Sequence, residues 1–212
     1  MKLYSYWRST ASYRVRIALA LKGLSYEYMP VHLVQDGGQQ HADSYRELNP
    51  EGLVPFLVDN DVKISQSYAI INYLEKEYPE ISLCSGSAKL DAEIESFAMS
   101  IACDIHPLNN LRVIKYLTKE MHITTEQSAA WYEHWIATGF SALEKRLEKS
   151  ETEFALTDFV SVADIYLVAQ VYNAHRFKCD MTPYPQINNL NAKCLDLPAF
   201  QAALPENQPD AE

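Results

Sequence analysis

The sequence predicts an α/β unit over residues 1–80, a linker at 81–87 and an all-helical unit over 88–212. Three observations carry this. Strand-like and helix-like patterns alternate through the first 80 residues, after which strand signals stop and long runs with helical apolar spacing take over. Between the two lies a stretch bearing Ser82, Ser85, Gly86 and Ser87, the composition of a connector.

Leu3-Tyr4-Ser5-Tyr6 reads as the first strand, and Ser9 to Lys22 as a helix that Gly23 ends, with Ser9, Thr10 and Ser12 offering cap oxygens at its start. Glu27 to Leu33 alternates Tyr28, Pro30 and His32 against Met29, Val31 and Leu33, a second strand that Pro30 places near an edge. Together these make a βαβ unit. After the polar stretch Asp36-Gly37-Gly38-Gln39-Gln40, Val54 to Val58 and Val62 to Ile64 form a hairpin about Asp59-Asn60-Asp61. Ser65-Gln66-Ser67 opens a helix with Ala69, Ile70, Tyr73 and Leu74 at helical spacing until Pro79. Further helical patterns span 89–105, 108–121, 126–149, 162–177 and 198–204.

Composition narrows the function. Of 212 residues, 48% are hydrophobic and 22% charged, which excludes disordered, collagen-like and disulfide-scaffold classes. The net charge of -10 argues against nucleic acid or an anionic membrane as partner, since either needs a positive face. The charge is uneven: residues 1–80 carry 8 basic and 10 acidic side chains, and residues 81–212 carry 10 and 18. The first unit is therefore the better host for an anionic ligand. Met1 to Arg8 lacks the apolar run of a signal peptide, and no stretch approaches about 20 apolar residues. A cytoplasmic protein with small-molecule or protein partners is expected. Cys84, Cys103, Cys179 and Cys194 are widely spaced, so reduced structural thiols and no metal site are expected.

Three places could carry chemistry. At Arg8-Ser9-Thr10-Ala11-Ser12, a helix start offers unpaired N–H groups and the positive end of the helix dipole. Such a site lowers a bound thiol's pKa from about 8.5, although the same hydroxyls could serve as caps alone. At Val54-Pro55, proline beside a strand start marks either an edge or a cis bond, and a cis bond would leave Val54 to pair with an extended peptide. At Gln66-Ser67, a second hydroxyl-bearing helix start could hold a carboxylate or simply cap the helix. The remaining histidines and the tyrosines Tyr4 and Tyr6 read as surface, core or cleft-lining groups.

In this order these features resemble the cytosolic glutathione transferases, with a thioredoxin-like glutathione-binding domain and a helical second domain. Ser161-Val162-Ala163-Asp164 resembles their Ser/Thr-x-x-Asp helix cap. The likeness is closer to the zeta class, the maleylacetoacetate isomerases. It runs through Tyr4 to Leu19, Lys22-Gly23, Asp36 to Gln40, Asn49-Pro50, Val54-Pro55, Gln66-Ser67, His106 to Leu111 and Asn173 to Phe177. Thr10 stands where the class signature has a second Ser, and Ala11 where it has Cys.

The resemblance implies glutathione as cofactor and a cis–trans isomerisation of maleylacetoacetate to fumarylacetoacetate in tyrosine and phenylalanine catabolism. A thiol from the protein is not required, because the attacking sulfur is glutathione's own. Ser9 and Thr10 are implied as catalytic. Ser9, Thr10, Ala11, Gln40, Val54, Gln66, Ser67, His106, Asn110, Leu111 and Arg112 are implied in glutathione binding. Val54 would serve through its backbone at the cysteinyl unit, and Gln66 and Ser67 at the γ-glutamyl end. Charge logic adds Arg8, Arg14 and Arg176 for a dicarboxylate substrate, Arg being suited to paired contacts with carboxylate. Arg14 and Arg16 also read as helix-surface or interdomain ion-pair partners. The helical unit would hold substrate-binding and dimer surfaces, so a homodimer is expected. Maleylpyruvate isomerisation, transfer to α-haloacids and a non-catalytic glutathione-fold binding module are the alternatives.

Overall fold

A computed structural model describes residues 1–212. Two compact units emerge, one of Met1–Ser82 with Leu195–Glu212 and one of Leu83–Cys194.

The first unit begins β1 (Lys2–Ser5), α1 (Thr10–Leu21) and β2 (Glu27–Pro30), with two short 3-10 turns and α2 (Asp43–Leu48) before β3 (Phe56–Asp59), β4 (Val62–Ser65) and α3 (Ser67–Glu77). Four strands lie in the order β2-β1-β3-β4. β1 pairs parallel to β2 with Leu3 opposite Tyr28, and antiparallel to β3 with Leu3 opposite Leu57. β3 and β4 form the expected hairpin, where Asn60 takes the left-handed turn at φ 52. Pro30, lacking an N–H, is the last residue of β2, so the strand is shorter than the alternation to Leu33 predicts.

Helix α1 is buried along most of its circumference, with α3 and a later helix packed on it. It ends as the sequence predicts. Gly23 sits at φ 65, Gly23 N–H bonds Ala20 C=O and Leu24 N–H bonds Leu19 C=O, the paired arrangement that satisfies the last carbonyls of a helix. Lys22 beside it is buried, and its ammonium lies 2.6 Å from Glu75 on α3.

The second unit is helical: α4 (Ala88–Met99), α5 (Leu111–Lys119), α6 (Thr125–Leu147), α7 (Val162–Arg176) and α8 (Pro185–Leu195). α7 is the central helix, packed against α4, and its start is tied by Asp164, whose carboxylate reaches back 2.8 Å to Ser161 N–H. The run read as one helix over 89–105 changes pitch. From Ser100 to Ile105 it becomes a π-helical turn, with His106 N–H bonded to Ile101 C=O. α6 packs on this turn at Gly139, where a Cβ would lie 2.2 Å from Ile105 Cδ1. The next helix starts at Leu111 rather than 108 because Asn110 caps it, its Oδ1 accepting Arg112 N–H at 3.1 Å.

Helix α8 has no clear sequence signal, since Asn188, Asn189 and Asn191 are weak helix formers. It buries Ile187, Leu190 and Cys194, and Glu144 of α6 accepts the N–H groups of Gln186 at 2.7 Å and Ile187 at 3.0 Å. A carboxylate thus satisfies donors at the helix start. Glu144→Ala should lower stability by about 2 kcal/mol in urea denaturation, because one buried and one partly buried donor lose their acceptor.

The chain then returns to the first unit. The expected helical unit 88–212 differs here: Leu195–Glu212 groups with Met1–Ser82. Its helix α9 (Pro198–Ala203) packs on α1 with Phe200 fully buried, which makes this segment part of the first core. No disulfide links the four cysteines.

Candidate active site

The sheet register brings three turns of the first unit to one end. β1 finishes at Ser5 opposite Pro30, Tyr4 lies opposite Phe56 where β3 starts, and Phe56 lies opposite Ser65 where β4 finishes. The Tyr6–Ser9 turn, the Val54–Pro55 peptide and the Gln66–Ser67 junction therefore share an edge. Helices α1 and α3 both start there, so two positive dipole ends lie at that end of the sheet.

Ser9 is the N-cap of α1, with its Oγ accepting Ser12 N–H at 3.2 Å. That bond uses a lone pair and leaves the hydroxyl proton available to donate, so capping and chemistry are compatible in one residue. Thr10 is 3% exposed, which leaves Ser9 as the hydroxyl within reach of a ligand at this turn; Ala11 is half-buried beside them.

The arginines divide. Arg16 is 1% exposed, and its guanidinium donates to Trp7 C=O at 3.0 Å, Ser5 Oγ at 3.2 Å, Tyr6 C=O at 3.4 Å and Ala203 C=O at 3.1 Å. Burial pulls its pKa down. Arg14 is 2% exposed. Neither is a helix-surface residue, and burial removes Arg14 from reach of a substrate arriving from solvent. Arg8 remains half-buried over the Trp7 ring, 4.2 Å from its centroid, with Glu212 3.5 Å away.

The Val54–Pro55 bond is cis. Leu53 C=O is held by Tyr45 OH at 2.6 Å and Asn49 Nδ2 at 2.9 Å, whereas the N–H and C=O of Val54 are engaged by no other group of the chain. Burial pushes the Tyr45 phenol up to about 12 and keeps it a donor. Gln40 is buried against the same loop, its Oε1 without a partner. A Cβ at Gly38, where φ is 110, would lie 2.6 Å from Gln40 Nε2, so glycine lets the chain close over this side chain. Gln66 adopts φ 71, outside the usual region for a residue with a side chain, and Ser67 begins α3 nearly buried. Glu51, which no sequence pattern singles out, accepts Ser65 Oγ at 2.8 Å and Gln66 Nε2 at 2.9 Å.

In the second unit, His106, Asn110, Leu111 and Arg112 lie on the turn into α5, with Leu111 and Arg112 exposed. α6 holds that turn through Trp131 Nε1 to Leu108 C=O at 2.9 Å and Asn109 Nδ2 to Tyr132 C=O at 3.2 Å. The Tyr132 ring stacks on Phe177 at 3.9 Å, and Arg176 lies over Phe177 at 5.0 Å. Tyr132 thus ties the α5 turn to the end of α7. Neither Trp131 nor Tyr132 is evident from sequence, because each acts through a contact made by packing.

Two family models match, the N-terminal domain of glutathione S-transferase over residues 3–82 and its C-terminal domain over residues 108–204. The chain belongs to the glutathione S-transferase family. Over 99% of its length this transferase is 46% identical to a probable maleylacetoacetate isomerase of Vibrio cholerae, covering 97% of that protein. It superposes with a TM-score of 0.96, at 42% identity and over the full length of both chains, on the holo form of maleyl pyruvate isomerase, a bacterial zeta-class glutathione S-transferase. The TM-score is 0.95 at 35% identity, again over both full lengths, with maleylacetoacetate isomerase of Methylobacterium extorquens AM1 carrying bound malonate and GSH. The thioredoxin-like first domain and helical second domain expected of the transferase are those observed. No helix of the transferase is long and apolar enough to cross a membrane, and no group of His, Cys, Asp and Glu side chains is arranged to hold a metal.

Proposed function

We propose that this protein is a glutathione-dependent cis–trans isomerase acting on maleylacetoacetate, as a cytosolic homodimer. The observation that carries the reading is the Ser9 hydroxyl, free to donate at the start of α1, on the same sheet edge as the unpaired Val54 backbone. The Val54 N–H and C=O suit the peptide part of glutathione, as an added strand would. Gln66 and Ser67 at the start of α3 suit a carboxylate, as does Gln40 a polar group at the loop beside them. His106, Asn110, Leu111 and Arg112 are assigned to the same cofactor by family position. Bound glutathione supplies a thiolate that adds to the cis double bond, allows rotation about the resulting single bond, and leaves to give the trans product. Ser9 donates its hydroxyl proton as a hydrogen bond toward the sulfur, and the α1 start adds its N–H groups and dipole, both favouring the charged form. Thr10 supports this turn from its buried position. Arg8 and Arg176 bind the substrate carboxylates, a reading that the relative solved with bound malonate and GSH supports.

Mixing the protein with maleylacetoacetate, with and without glutathione, and following the product's absorbance tests the reading. Glutathione-dependent turnover is expected; none with any maleyl substrate would overturn it. Maleylpyruvate is the second substrate to try, given the 0.96 TM-score with a maleyl pyruvate isomerase. Arg176→Ala should raise the KM for the dicarboxylate about 10- to 100-fold, the range for a lost charge-assisted contact, with little change in the KM for glutathione. Sedimentation should give a mass near twice 24.2 kDa.

A further inference from the structure

We propose that Asp210 is a positioning residue for the Trp7–Ser9 turn, setting the Arg8 guanidinium and the Ser9 hydroxyl for the reaction. The inference rests on the reading of that turn as the reactive site.

The turn is held from two sides. Below it, Arg16 of α1 takes the carbonyls of Tyr6 and Trp7. From the other side, Asp210 Oδ2 accepts Trp7 N–H at 3.2 Å, a contact 203 residues apart in the chain. The second oxygen of Asp210 accepts Tyr28 OH from β2 at 2.6 Å. One carboxylate therefore joins the strand next to β1 with the residue directly before Arg8 and two before Ser9. Desolvation and the neighbouring carboxylate together hold the Tyr28 phenol well above its ordinary range, so it stays a donor.

Arg16 is itself buried among carbonyl and hydroxyl oxygens; burial lowers its pKa, and Tyr28, Tyr26 and Tyr13, with Asp210 the smallest contributor, oppose that shift. The segment that delivers Asp210 is itself fixed: Ala203 C=O accepts Arg16 Nε, Gln208 Nε2 donates to Ala202 and Leu204 C=O, and Ala211 N–H donates to Gln208 C=O. Glu212 adds contacts to Arg8, His32 at 3.2 Å and Gln35 at 2.6 Å. The Glu212 carboxylate in those pairs is itself half exposed, so they are worth little and Asp210 is the main tie. A reacting group displaced by about 1 Å loses about 100-fold in rate, which is why a hydrogen bond to Trp7 can govern chemistry at Ser9.

The test compares Asp210→Ala, Asp210→Asn and Tyr28→Phe in the full chain. Calorimetry reads the Kd for glutathione, ultraviolet absorbance against pH reads ionisation of its bound thiol, and turnover is measured with maleylacetoacetate. Asp210→Ala should lower kcat about tenfold or more, leave the glutathione Kd within about threefold, and raise the thiolate midpoint by about one pH unit. Asp210→Asn keeps a neutral acceptor for Trp7 N–H and should recover most of both. Tyr28→Phe leaves the Trp7 contact in place and should retain kcat. If Asp210→Ala lowers only the melting temperature, with thiolate midpoint and kcat of the folded protein unchanged, Asp210 is a structural tie and the inference falls. It falls equally if Asp210→Asn is as impaired as Asp210→Ala, and Asp210→Asn with Tyr28→Phe decides the matter should Asp210→Ala not fold. Wild-type protein that neither binds nor ionises glutathione would instead overturn the reading of the site.

Discussion

Ser9→Ala should lower kcat about 10- to 100-fold while changing the Kd for glutathione by less than about threefold. The hydroxyl acts on the sulfur's charge, and a hydrogen bond to a charged group is worth about 1.5–3 kcal/mol. Binding of the tripeptide rests elsewhere, on the Val54 backbone and the α3 start. The thiolate midpoint should rise in the variant, so kcat/KM recovers partly at higher pH. Loss of the cap bond to Ser12 N–H adds about 1 kcal/mol of destabilisation, visible as a lower melting temperature. Ser9→Thr separates the two effects, because it keeps both cap and hydroxyl and should retain stability. Equal losses in glutathione affinity and kcat would reduce Ser9 to a cap.

Asp164→Ala should destabilise the second unit by about 3 to 5 kcal/mol, the largest stability effect expected in this protein. Asp164 is fully buried and accepts three donors: Ala155 N–H at 2.8 Å, Ser161 N–H at 2.8 Å and Ser161 OH at 2.9 Å. Burial pushes its carboxyl up, and the three donors oppose that shift. Alanine leaves all three buried without an acceptor at the start of the central helix. Thermal denaturation should show a fall of roughly 10 °C or more. Asp164→Asn retains one acceptor oxygen and should lose about half as much. A variant within about 1 kcal/mol of wild type would mean that water replaces the carboxylate.

Much of the fold is legible in the sequence. Ser9 and Gly23 bracket α1 because cap and stop signals are local, depending on residues within a turn of the helix end. The Asn60 hairpin and the Ser161–Asp164 cap follow for the same reason. Val54–Pro55 carried two readings, edge or cis bond, and the structure has the cis bond. Arg14 and Arg16 were less legible. Charged side chains on a helix suggest solvent, and only the packing of α3 and α9 on α1 reveals that it is buried on nearly all sides. The π turn at Ser100–Ile105 was hidden because its residues share the apolar spacing of α4, while the change of pitch depends on packing against α6 and α7.

By itself the sequence determined the order of elements, the hydroxyl at the α1 start, the loop before Pro55 and the resemblance to a glutathione-using family. Each is written in neighbouring residues. Tertiary structure alone decided that Leu195–Glu212 returns to the first unit, that Arg16 and Asp210 grip the Trp7 peptide from opposite sides, and that Tyr132 joins the α5 turn to Arg176. The physical reason is the same in all three: a hydrogen-bonding group distant in sequence acquires its partner only when apolar faces pack, as Phe200 is buried where α9 meets α1, with Asp210 after it reaching Trp7 and Tyr28.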